Sequence, residues 1–198
     1  YIKATVTSKK SSTTAPSAML SELPAATNIS VLLYGLAFRS DHLDYTPNPR
    51  KGFSIKASAG AGTRELKNMS SNASAFDSLA SKSSQYQATY ETDLFIPLAG
   101  RSVFNLGMRG GHLISPTYFQ NELFRIGGFK TLRGFDEESI FASSYDILNL
   151  ELRYLLEQNS YLSAFWNGAY YENRAHYLAG DPYAVSYTHL TLPTILLV

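Results

Sequence analysis

Apolar and polar residues alternate with a period of two along most of the chain. Phe53, Ile55, Ala57, Ala59 and Ala61 share one face, and Ser54, Lys56, Ser58, Gly60 and Gly62 share the other. This is the signature of a strand with one apolar and one polar side. Tyr86, Ala88, Tyr90, Thr92, Leu94 and Ile96 alternate with Gln87, Thr89, Glu91 and Asp93, which places two carboxylates on the polar face. Phe104, Leu106 and Met108 oppose Asn105, Gly107, Arg109 and Gly111, and Leu148, Leu150, Leu152, Tyr154 and Leu156 oppose Asn149, Glu151 and Arg153. The pattern predicts strands near residues 1–7, 28–41, 51–62, 84–97, 101–114, 144–157 and 160–172. Strands of a soluble sandwich run about five or six residues. These are longer, matching the roughly ten residues that cross a bilayer at a tilt.

The connections fall into two kinds. Pro97 to Arg101 and Glu157 to Ser160 read as tight turns, whereas residues 8–27, 63–84 and 115–144 are long and rich in Ser, Thr, Ala or Asn. Short turns at one end and long loops at the other are the asymmetry of an outer-membrane barrel. Asp44 to Gly52, with two prolines and a closing glycine, predicts another reversal, because each proline removes a ladder donor.

Composition narrows the class. Only 17% of the 198 residues are charged, while 44% are apolar and 14 are tyrosines, a balance suited to a wall that is apolar along its height and wet at its rims. There is no run of about 18 apolar residues, so a membrane would be crossed by strands. The chain opens on no signal peptide, so an export signal is expected upstream of it. The absence of cysteine excludes disulfides and thiolate metal sites. His42, His112, His176 and His189 form no helical i, i+4 pair, and the net charge of +1 gives no reason to expect nucleic acid. Gly60 and Gly62 lack the Lys-Ser/Thr pair of a phosphate loop and read as packing or clearance positions. No metal or cofactor is expected.

Residues 123–135, LFRIGGFKTLRGF, carry the most specific signal. Gly127 and Gly128 are followed at fixed distance by Leu132, Arg133, Gly134 and Phe135, and then by the acidic run Asp136 to Glu138, between two strand-like segments. This resembles the inward-folded loop of the outer-membrane assembly-factor family, the BamA/TamA (bacterial surface antigen) barrels. The turn at Asp44 to Gly52 is similar to the family's Pro-Thr-x-Gly periplasmic turn. Phe165 to Asn173, FWNGAYYEN, resembles its lumenal strand motif Phe-x-Asp-x-Gly. Phe165 matches, Asn167 stands at the aspartate position and Ala169 at the glycine. In the family the loop arginine meets that aspartate inside the barrel. Arg133 would here face an uncharged amide, so another carboxylate is expected to take part: Glu151 first, then Glu91 and Asp93. An arginine stranded without a counter-charge costs about 3 to 5 kcal/mol.

The resemblance covers roughly residues 28–175. It implies an all-β fold, an antiparallel transmembrane β-barrel present in part, with about seven strands of a sixteen-strand barrel and with the periplasmic POTRA domains and the seam strands lying elsewhere. It implies a bacterial outer-membrane location and a non-enzymatic role in inserting other barrels or translocating polypeptide, with outer-membrane lipid, unfolded outer-membrane proteins and accessory assembly proteins as partners. A fragment without the seam strands is expected to be inactive alone. Two other readings stand beside it. One is a two-partner secretion pore. The other is the barrel of a patatin-like phospholipase, for which no Gly-x-Ser-x-Gly is present. Residues 1–184 are read as the barrel segment. Residues 185–198 abandon the alternation and resemble a translated adapter, so they read as a non-native tail.

Overall fold

A computed structural model describes residues 2–11, 28–67, 82–157, 160–175 and 196–197. Among the described residues, seven long strands run up and down in chain order, interrupted by one structured loop. They are β1 (Ile2–Ser11), β2 (Asn28–Leu43), β3 (Gly52–Lys67), β4 (Lys82–Pro97) and β5 (Ser102–Ile114), then after the loop β8 (Ser144–Leu155) and β9 (Tyr161–Glu172). Within the loop a 3-10 turn (Gln120–Glu122) precedes a two-stranded hairpin of β6 (Phe124–Ile126) and β7 (Ile140–Ala142). The main sheet has the order β1-β2-β3-β4-β5-β8-β9-β10, where β10 is Leu196–Leu197, and all its pairings are antiparallel. The described strands thus form an open wall of a barrel, with β1 and β10 at its edges.

Antiparallel register places opposed residues on one face, so the two sides of the wall can be read strand by strand. Glu91 opposes Arg109, Asn105 opposes Glu151, and Asn149 opposes Asn167, which gives a polar inner face. The outer face carries Tyr34, Leu36, Tyr86, Ile114, Leu152 and Tyr154, all exposed, with Leu36 and Tyr34 as much as 63% and 61% accessible. A soluble monomer rarely exposes an apolar surface of this extent. On a membrane barrel it is the surface that meets hydrocarbon.

Four strands outrun the sequence expectation. β1 continues to Ser11, β2 to Leu43, β3 to Lys67, and β4 begins at Lys82. Their added residues are mostly polar, and unbroken cross-strand pairing carries them past the apolar belt. Ser30, for example, opposes Glu65, which opposes Lys82. Alternation between apolar and polar positions cannot mark a strand where the residues of both its faces are mostly polar. Loop 115–144 likewise contains its own hairpin. In the tail, the described Leu196 and Leu197 pair with Ser163 and Leu162 of β9; residues 185–195 and 198 lie outside the described residues.

Candidate functional site

The loop between β5 and β8 returns onto the inner face of the wall. Its stem is the β6–β7 pairing of Phe124 with Ala142 and Ile126 with Ile140. Leu132 from the tip and Ile126 from the stem, each 1% exposed, pack with Ala142 against Ile147 of β8 and Ala169 of β9, and Phe135 covers the cluster. Ile147 and Ala169 are register partners, so the seat is the inner wall itself. Ala169 stands where the family carries glycine, and its methyl group joins this core.

The glycines account for the sharp return. Gly127, Gly128 and Gly134 have φ of 120°, 93° and 97°, a region that side chains disfavour. A Cβ on Gly127 would collide with the Asp136 carbonyl, and one on Gly128 with the Glu137 carboxylate. The Gly128 N–H donates to the Phe135 carbonyl at 3.1 Å, closing the tip. Thr131 secures it from inside: its hydroxyl donates to the Gly127 carbonyl at 2.6 Å and accepts from the Gly127 N–H at 3.0 Å. From the wall, Arg109 donates through Nη1 to the Lys130 carbonyl.

This fold delivers Arg133 to the inner wall. Its Nη2 lies 3.8 Å from Glu151 Oε2, and its guanidinium stacks over Phe165 at 4.2 Å and Phe129 at 5.0 Å from the ring centroids. Glu151, 3% exposed, also accepts from Arg153 Nη2 at 3.2 Å, so one carboxylate serves two guanidiniums. Arg153 is itself held between Phe95 and Tyr161, at 5.1 and 4.9 Å. The aromatic faces add cation–π attraction of about 0.5 to 2 kcal/mol each where water is excluded.

The other expected partners of Arg133 are engaged elsewhere. Glu91 pairs with Lys56 at 3.3 Å and with Arg109 at 3.4 Å, and Asp93 lies 3.9 Å from Arg109. They occupy the same inner face on β4, two strands from Glu151, where the cations of β3 and β5 reach them first. Asn167, 2% exposed, does not bond Arg133 either. Its Nδ2 donates to Asn149 Oδ1 at 2.9 Å, because Asn149 is its direct cross-strand neighbour. Arg133, Asn167, Glu151 and Arg109 nevertheless line one polar cavity of about 70 Å³.

A second loop anchor escaped the sequence reading. Arg64 of β3, 2% exposed, donates through Nη1 to Glu122 Oε2 at 2.9 Å and to the Thr117 carbonyl at 2.7 Å. Its Nη2 donates to the Thr117 hydroxyl, and its guanidinium lies over Phe119 at 5.4 Å. Phe119 packs with Ile29, Val31 and Leu66, so the first half of the loop rests on the β2–β3 side of the inner face. Arg64 continues the inner series Lys56, Ser58, Gly60, Gly62, but it lies beyond residue 62, where the expected strand ended. Extending the period by two residues would have found it.

No group of His, Asp and Glu among the described residues has the geometry of a metal site. The arrangement is a set of braces between a loop and a wall. A search of curated proteins returned no match to the chain. The Omp85 superfamily domain matches residues 5–194, nearly the whole chain. With its antiparallel membrane wall and inward loop, the chain belongs to the Omp85 superfamily, whose members act in general in outer-membrane protein assembly or translocation.

Proposed function

We propose that this chain is barrel wall from an outer-membrane insertase or polypeptide translocation factor of the BamA/TamA kind, and that the loop bearing Leu132-Arg133-Gly134-Phe135 braces the lumen. The observation that carries this reading is the docking of the loop on the inner wall, with Leu132 in the Ile147–Ala169 cluster and Arg133 beside Glu151. A wall stiffened from inside would yield at the seam between the first and last strands. There, unpaired backbone groups can template an incoming strand. The work is conformational, without covalent catalysis or a cofactor, and its partners are unfolded outer-membrane proteins and outer-membrane lipid.

The test is reconstitution of the intact protein in liposomes with a urea-unfolded outer-membrane barrel as substrate. The natural protein should accelerate substrate folding. Arg133→Ala should lose most of that acceleration, on the order of tenfold, while still being inserted. No acceleration by the natural protein, or equal acceleration by both, would contradict the reading.

A further inference from the structure

Gly107 leaves a gap in the inner wall. It stands between Asp93 and Asn149 in a row that ends at Asn167, and a Cβ there would come within 2.9 Å of Asp93 Oδ1 and 3.5 Å of Asn149. Asn105 lies opposite Glu151 in the next row toward the short turns, Arg109 lies on the other side, and Arg133 of the loop tip covers the space. The enclosed space is the polar cavity of about 70 Å³ beside Arg133.

Its walls carry hydrogen-bonding groups that the protein leaves unmatched. Asn105 and Asn167 are each 2% exposed, and their Oδ1 atoms accept no hydrogen bond among the described residues; Arg153 Nε, also buried, donates none. Two ion pairs at the cavity are too long for direct hydrogen bonds. Arg133 Nη2 lies 3.8 Å from Glu151 Oε2, and Arg109 Nη2 lies 3.9 Å from Asp93 Oδ2. Separations of this kind are joined by a water that bonds both ends.

We infer that the cavity is a site for ordered water, with room for about two molecules at roughly 30 Å³ each, and that the loop arginine is tied to the wall through them. The inference rests on the docked loop and deepens the bracing role by naming what joins Arg133 to the wall. Water suits this mixture of groups because each molecule donates and accepts. It can donate to the Asn105 and Asn167 oxygens and to the carboxylates while accepting from a guanidinium. A cation would sit among the guanidiniums of Arg109, Arg133 and Arg153, and an anion would meet the Asp93 and Glu151 carboxylates as well as both amide oxygens. Cavities that stay dry are apolar, whereas the lining here is almost wholly polar. The consequence is a brace that can be released and remade without stripping its charges, because water already solvates them where they meet.

The test is a cryomicroscopy map of the intact natural protein in lipid nanodiscs, at a resolution that shows ordered water. About two discrete peaks should occupy the cavity, each within hydrogen-bond reach of at least three polar atoms, with Asn105 Oδ1 and Asn167 Oδ1 among them. Asn105→Leu, close in volume but without the oxygen, should lose a peak and lower the temperature at which the fast-migrating gel band disappears by at least about 3 °C. A map with the loop docked and no peak in the cavity would overturn the inference, as would a peak that bromide replaces. An unchanged or higher melting temperature in Asn105→Leu would do the same, since an apolar side chain in place of a dry, unbonded oxygen relieves a penalty. The map of the natural protein decides the matter even where the variant fails to fold. A docked loop over a dry cavity sinks the water site and leaves the brace standing, whereas a loop tip far from Glu151 in the same map contradicts both.

Discussion

The Arg133 guanidinium lies 3.8 Å from the Glu151 carboxylate, and it shares that carboxylate with Arg153. At this separation the attraction is electrostatic, of the order of 4 kcal/mol at an effective dielectric of about 20 before desolvation is subtracted. Sharing means that the two losses are unequal. Arg133→Ala leaves Glu151 paired with Arg153 and should cost about 1 to 3 kcal/mol. Glu151→Gln strands two guanidiniums and should cost more, about 3 to 5 kcal/mol. The temperature at which the folded, fast-migrating gel band of the intact protein is lost should fall in that order.

Arg64→Ala should free the first half of the loop without disturbing its tip. It removes a buried pair to Glu122 and two bonds to Thr117, a loss of about 3 to 5 kcal/mol. Arg64→Lys should recover little of it, since an ammonium cannot reproduce the fork that reaches both partners. Hydrogen exchange should quicken at residues 117–123 and stay protected at Gly128, whose N–H is bonded within the tip.

Asn167→Asp should be neutral or mildly stabilising, within about 1 kcal/mol. The new carboxylate would enter a cavity that Arg109, Arg133 and Arg153 already line. It loses the donor to Asn149, but the Asn149 amide can turn and donate in its place. Glu151→Gln should then be milder in the Asn167→Asp background than in the natural protein. Denaturation midpoints of the four forms would show this, and equal cost in both backgrounds would refute it.

Acid should loosen the β2–β3 turn. Desolvation pushes the Asp44 carboxyl up, but the backbone N–H groups of Lys51, Arg50 and Tyr45, joined by its own, outweigh it and hold the carboxyl below its usual range. The three neighbouring bonds measure 3.2, 3.0 and 2.9 Å. A carboxyl whose folded pKa is depressed stabilises the turn above its unfolded pKa, and that stability is lost as pH falls through the folded value. Protection of the Arg50 and Lys51 amides should therefore persist at neutral pH and fade below about pH 4. In Asp44→Ala it should be weak at every pH.

The wall was legible because its chemistry has period two. Phe53 to Gly62 and Leu148 to Leu156 announce their apolar and polar faces directly, and the structure keeps those faces. The polar strand ends near Ser11, Lys67 and Lys82 were not legible, since pairing alone extends them. In the loop, the glycines and Leu132-Arg133-Gly134-Phe135 pointed inward, and the strand alternation put Glu151 on the facing side. Alternation names a face but no distances. Glu91 and Asp93 share that face and yet lie with Lys56 and Arg109, and nothing in the residue order announced that Asn149 would take Asn167. Arg64 and Glu122 lie 58 positions apart, and only the assembled wall brings them together.

The most direct test of the braced lumen is a double-mutant cycle on Arg133→Ala and Glu151→Gln in the intact protein, read as unfolding free energy in lipid vesicles. If the loop arginine acts through that carboxylate, the two changes together should cost less than the sum of their separate costs, by about 1 kcal/mol or more. Costs that add would contradict it, because a loop free of the inner wall has no reason to register a change at Glu151.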